Sequence, residues 1–222
     1  IQKFTLGGVF IQEWETEKAY PSSVAVAPDG SVYISDIGDT EEGHRIMKYT
    51  ADGVFITQWG KYGTEDGEFS YPWGVAVAPD GNVYVADLHN KRIQKFDSNG
   101  GFLGKWDTFV TADGKYQGAN HLAVASDGIV YAVDSWSNSI KKYTSEGVFI
   151  TQWGGKGTGT GQFNEPDGIA VAPDGDIYVS DRHNSRIQRF TSQGVFINEW
   201  GALGSGPAQF NYPGGIAVAY NG

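Results

Sequence analysis

Three histidines are the residues best suited by type to chemistry. His89, His121 and His183 would supply three imidazoles, and three imidazoles with an open fourth position form the ligand set of a catalytic zinc. A second cation site is offered by residues 37–45, whose Asp39, Glu41 and Glu42 carry the oxygen ligands that calcium takes. The competing reading there is a solvated acidic loop. Aromatic side chains offer binding rather than reaction. Trp136, Tyr116 and Phe109 stand in stretches that read as loops, where a large ring can anchor a partner. Other reaction chemistries lack their residues. The chain has no cysteine nucleophile, no Gly-x-Ser-x-Gly elbow and no phosphate-cradling Gly-x-x-x-x-Gly-Lys loop.

The elements that must position these groups are repeated. Trp14, Trp59, Trp106, Trp153 and Trp200 stand 45, 47, 47 and 47 residues apart. The turn Pro28-Asp29-Gly30 recurs as Pro79-Asp80-Gly81, Ser126-Asp127-Gly128 and Pro173-Asp174-Gly175. Repeats therefore start near residues 1, 46, 93, 140 and 187 of a single domain spanning 1–222. Each repeat holds four short runs rich in β-branched and aromatic residues, bounded by Gly, Pro, Asn or Asp. The last full set is Gly168–Ala172, Asp176–Asp181, Arg186–Phe190 and Val195–Trp200. We label these strands a, b, c and d. No helical period is present. Four antiparallel strands in about 47 residues are the signature of a β-propeller blade. Blades one to four carry strand b near Ile34, Val85, Ala132 and Val179.

The glycine excess, 32 of 222, follows from this plan, since each blade needs two tight turns of positive φ. Strand-d tryptophans are expected to pack between neighbouring sheets. A net charge of −10 argues against a nucleic-acid backbone as partner, and no apolar run is long enough to insert in a membrane as a helix.

The run from Gly155 to Phe190 contains Gly-Gln-Phe-Asn-x-Pro-x-Gly-Ile-Ala-Val-Ala, then Asp-Gly-x-Ile-Tyr-Val-x-Asp, then Asn-x-Arg-Ile-Gln-x-Phe. It resembles the NHL repeat, and the resemblance extends over four to five copies. It implies an all-β propeller, commonly six-bladed. Its functions range over protein-binding scaffolds, RNA-binding domains, receptor-kinase sensor domains and a few lyases. Relatives of the amidating-lyase type hold a metal at the channel mouth. The resemblance also implies secreted or surface-exposed use, so an extracellular, cell-surface or periplasmic location is expected. By the repeat spacing, Gly222 falls at the position of Gly175. The expectation is about five blades, ending in a strand a at Gly215–Ala219. They would form part of a six-bladed ring incomplete at one or both ends, with five blades as the alternative.

Topology assigns the faces. The a–b and c–d turns share one face, so the longer b–c and d–a loops share the other, and long loops on a rigid scaffold carry binding. All three histidines fall on that face. His89 and His183 occupy the same repeat position, which favours architecture, while His121 replaces the glycine found at Gly74 and Gly168. Trp136 stands where the neighbouring blades have His89 and His183. Trp73, Tyr71 and Tyr212 sit just before strand a and are expected at the channel mouth. The element Asp87-x-x-Asn90-x-Arg92 recurs at Asp181, Asn184 and Arg186 and reads as loop architecture. Blade three departs from it, with Asp134, Ser137 and Ser139. The leading functional reading is a non-enzymatic scaffold that binds a protein, peptide or glycan through Trp136, Tyr116, Trp73, Tyr71, Tyr212 and Phe109, with no cofactor. The alternatives are a zinc- or calcium-dependent lyase and a surface protein that self-associates through an open ring edge.

Overall fold

Alternating side chains make the repeats pair as strands rather than coil as helices, and the computed structural model bears this out. It describes residues 1–16, 19–38, 43–108 and 118–219. Blade one comprises Pro21–Val26, Val32–Asp36, Arg45–Tyr49 and Phe55–Trp59, paired antiparallel in that order. Blade two comprises Pro72–Val77, Val83–Asp87, Arg92–Phe96 and Phe102–Asp107. Blade three comprises His121–Val124, Val130–Asp134, Ser139–Tyr143 and Phe149–Gly154. Blade four comprises Pro166–Val171, Ile177–Asp181, Arg186–Phe190 and Phe196–Trp200. A two-stranded hairpin, Gln2–Phe4 with Phe10–Glu13, precedes them as strands c and d of a further blade. Among the described residues the sole helical element is a 3-10 turn, Arg182–Asn184.

The expected strand a at Gly215–Ala219 is not a hydrogen-bonded strand. It runs alongside strand a of blade four, where Ser180 Oγ donates to Gly214 O at 2.6 Å. Elsewhere strand a is secured by its own strand b, and no strand b follows this segment among the described residues.

The core lies between the blades. Strands b of blades one to three are buried along their whole length. One cluster joins Ala76, Tyr84 and Ile93 of blade two to Leu122, Val130 and Tyr143 of blade three. A second joins Tyr131 and Ile140 to Ile169, Ile177 and Phe190. Strands a converge on the axis, so small residues line them. A Cβ on Gly74 would sit 2.4 Å from Asn120 O, and one on Gly168 would sit 2.6 Å from Gly214 O.

The strand-d tryptophans pack as expected. Trp59 lies edge-on to Tyr33 of its own blade at 6.2 Å and meets Phe96 of the next at 5.8 Å. Trp106 and Trp153 repeat this with Tyr84 and Tyr143, and with Tyr131 and Phe190. Each indole rests on the c–d turn glycine of the following blade. A Cβ on Gly100 would stand 2.5 Å from Trp59 Cδ2, and its φ of 89° already favours glycine. Trp200 keeps its Tyr178 contact but is 38% exposed, for no further c–d turn covers it among the described residues.

Candidate functional site: the long-loop face

The b–c and d–a loops are held by a repeated polar network. Asp87, fully buried at the end of strand b, accepts from Ser70 N at 2.7 Å, Asn90 Nδ2 at 2.9 Å and Arg92 Nε at 2.7 Å. Burial pushes its carboxyl above the usual range, while these donors pull the other way. Arg92 then reaches into the preceding d–a loop, donating to Thr64 O at 2.7 Å and to Glu65 O and Glu68 O at 2.8 Å. Asn90 donates to Gly63 O at 2.8 Å. Blade four reproduces the set, with Arg186 donating to Asp181, Thr158 O, Gly159 O and Gln162 O. The Asp-x-x-Asn-x-Arg element thus fixes the loops by saturating their carbonyls.

Blade three keeps the charge balance by another route. Ser139 replaces the arginine, and Lys141 stands where blades two and four have Gln94 and Gln188. Its Nζ lies 2.8 Å from Asp134 Oδ2 and donates to Thr108 O at 2.7 Å, with both side chains buried. Asp134 also accepts from Trp136 N and Ser137 N at 3.1 and 3.0 Å. The b–c loop that carries Trp136 is therefore anchored from its base.

A cavity of about 520 Å³ opens on this face among blades two, three and four. Trp73 and Leu88 wall it from blade two, and Asn120, Ser135, Trp136 and Asn138 from blade three. Lys156, Glu165, Asp167 and Arg182 close it from the blade-four side. Its volume suits a small molecule or the tip of a larger one. Trp136 stands 68% exposed at the rim. A second cavity of about 480 Å³ follows the axis, bounded by Ser22, Trp73, His121, Asp167 and the 215–217 segment, so Trp73 and Asp167 border both.

His121 Nδ1 lies 3.0 Å from Asp167 Oδ1, on the wall of the axial cavity. Burial works to raise the Asp167 carboxyl, but the His121 ring, Arg182 and Asn120 together hold it below the usual range. The other two histidines have different neighbours. His89 stacks on Tyr71 at 4.1 Å, and His183 packs on Tyr212 at 5.1 Å with Nε2 3.4 Å from Glu165. Among the described residues no three His, Cys, Asp or Glu side chains gather at metal-holding spacing. The structure therefore does not unite the three histidines around one ion.

Of the aromatic candidates, Trp73 and Trp136 come together at the larger cavity. Tyr71 and Tyr212 border neither of these cavities and instead back the histidines. Tyr71 N donates to His44 Nδ1 at 3.0 Å, and burial depresses that imidazole's pKa. Tyr116 and Phe109, with Asp39, Glu41 and Glu42, lie outside the described residues. Sequence reasoning missed Asp167 and Arg182. The signal was available in two repeat positions whose residue changes from blade to blade. One reads Ser22, Trp73, Asn120, Asp167 and Gly214, and the other reads Leu88, Ser135 and Arg182.

Residues 69–96 and 163–190 match the family model described as NHL repeat. Among solved structures, a streptogramin B lyase superposes with a TM-score of 0.69 at 21% identity, over 97% of this chain and 65% of that one. A catalytically inactive virginiamycin B lyase from Staphylococcus aureus, solved with quinupristin, gives 0.66 at 19% identity, over 98% and 67%. A nidogen/laminin complex gives 0.66 at 14% identity, over 91% and 70%. This chain spans just under two thirds of the streptogramin B lyase. At these identities the likeness shows the fold alone.

Proposed function

We propose that this chain, an NHL-repeat β-propeller, is a non-enzymatic binding module that uses its long-loop face to take a protein, peptide or glycan. The observation that carries the reading is the cavity of about 520 Å³ walled by Trp73 and by the exposed Trp136. An indole left in water at the rim of a concave site can bury large apolar area against a partner. The loops around it are pre-organised by the buried Asp, Asn, Arg and Lys network, which lowers the ordering cost of binding. Peptide and glycan arrays probed with the chain and with Trp136→Ala test this. A wild-type profile lost in the variant, at unchanged melting temperature, supports it. Identical profiles would refute it.

A lyase is the second reading, favoured by the His121–Asp167 pair on the axial cavity wall. A carboxylate beside an imidazole orients it and supports proton transfer. Two of the fold neighbours are lyases, which agrees with this reading without carrying it. Elimination activity lost in His121→Ala but kept in Trp136→Ala would favour the lyase over the binder.

A further inference from the structure

The polar groups of the larger cavity divide into those already engaged and those that are not. Asn120 Nδ2 donates to Ser135 Oγ at 2.7 Å, and its Oδ1 accepts from Ser135 N at 3.2 Å. Ser135 Oγ in turn donates to Pro166 O. Asn138 accepts from Glu165 N at 2.7 Å and donates to Trp136 O at 3.2 Å. Both carboxylates have a basic neighbour, Asp167 in His121 and Glu165 in His183. Arg182 and Lys156 differ. Neither side chain has an ion pair or hydrogen bond among the described residues, and both border the cavity.

What remains without a hydrogen bond is therefore cationic and aromatic: one guanidinium, whose charge also acts on Asp167, one ammonium and two indoles. Guanidinium and ammonium groups recognise carboxylates through short, charge-assisted hydrogen bonds. Indole faces recognise flat apolar faces. Asn120, Ser135 and Asn138 already hold partners, which leaves the two cations and the indoles, with their N–H donors, to recognise a ligand. The chain's charge of −10 disfavours a long polyanion and favours a ligand with a single charge.

The geometry points to a small monocarboxylate carrying one six-membered ring with an apolar face, with its ring between Trp73 and Trp136 and its carboxylate toward Arg182 and Lys156. This rests on the binding reading of the same face and narrows it. Two sources supply that chemistry, an aromatic acid and a uronic-acid sugar.

Titration of the 222-residue chain with benzoate and glucuronate, against neutral benzamide and glucose, tests the inference. At least one acid is expected to saturate binding, with its neutral counterpart about tenfold weaker or more. Arg182→Met should weaken the acid about tenfold or more, the usual consequence of losing a charged hydrogen bond. It should leave the neutral probe and the melting temperature unchanged. Trp136→Ala should weaken acid and neutral probe alike. Preference for benzoate assigns the aromatic source, and preference for glucuronate the sugar. Equal binding of acid and neutral probe, or indifference to Arg182→Met, overturns the carboxylate assignment while the binding face stands. No saturable binding of any probe also overturns it, and the array experiment then decides separately on the face.

Discussion

The buried pair Lys141–Asp134 makes the sharpest prediction about how the site is supported. The two side chains are 1% and 0% exposed, with Nζ and Oδ2 2.8 Å apart. Lys141→Met keeps the apolar stem and removes the charge, leaving a buried carboxylate with only the backbone donors of Trp136 and Ser137. Breaking a buried pair in this way costs about 3–5 kcal/mol, a large part of a total stability of about 5–15 kcal/mol. At about 2–4 °C per kcal/mol for a domain of this size, the melting temperature should fall by roughly 6–20 °C. Adding Asp134→Asn removes the stranded charge while its Oδ1 still accepts from both backbone amides. Thr108 O then lacks its lysine donor, so the double variant should remain about 1–2 kcal/mol below wild type. Urea unfolding of the four proteins gives the cycle. Refutation is a Lys141→Met loss below about 1 kcal/mol, or single losses that simply add in the double variant.

Three further outcomes are expected. Gly100→Ala should cost about 2 kcal/mol or more, because it combines a φ of 89° with a Cβ 2.5 Å from Trp59. Gly81→Ala, with a φ of 85° but its nearest neighbour 3.9 Å away, should cost distinctly less by the same urea unfolding. His44 has its pKa depressed by burial, with His89 adding to the effect and Asp36 and Asp87 opposing it. The unfolded chain therefore binds the proton first, so His44 lowers stability as pH falls below its ordinary value of 6.5. Protonation also removes the acceptor for Tyr71 N, and unfolding from pH 7.5 to 5 should show a steeper decline in wild type than in His44→Asn. Trp136→Ala should change stability by no more than about 0.5 kcal/mol, since its ring is mostly in water, and calorimetry checks this.

Local periodicity made the blades legible. Alternation, the turn glycines and the tryptophan spacing each report contacts inside one repeat or with its neighbour, so the strands and the packing role of Trp59, Trp106 and Trp153 could be read directly. The paired turns also located the long-loop face that holds Trp73 and Trp136. Cross-blade geometry was harder to read. Tyr71 and Tyr212 precede strand a, yet their backbones, at φ of 57° and 54°, accompany rings placed against His89 and His183 rather than along these cavities. In blade three the Asp-x-x-Asn-x-Arg pattern reads as broken at Ser137 and Ser139. The compensating lysine comes two residues later, on the same face of strand c, beyond the pattern's end. Asp167 and Arg182 were hidden because the repeat consensus treats their positions as variable, and variability on a shared scaffold is where individual blades differ in chemistry.

Ligand entry between Trp73 and Trp136, as proposed, can be read on the indoles themselves. Seven tryptophans give seven indole N–H signals, five of them from strands d. Nitrogen-15 NMR of those indoles during titration with benzoate or glucuronate reads the site without disturbing it. Movement of the Trp73 and Trp136 signals, with the other five still, is the result expected. Movement confined to the strand-d signals, or none at saturating probe, would rule out binding between these two rings.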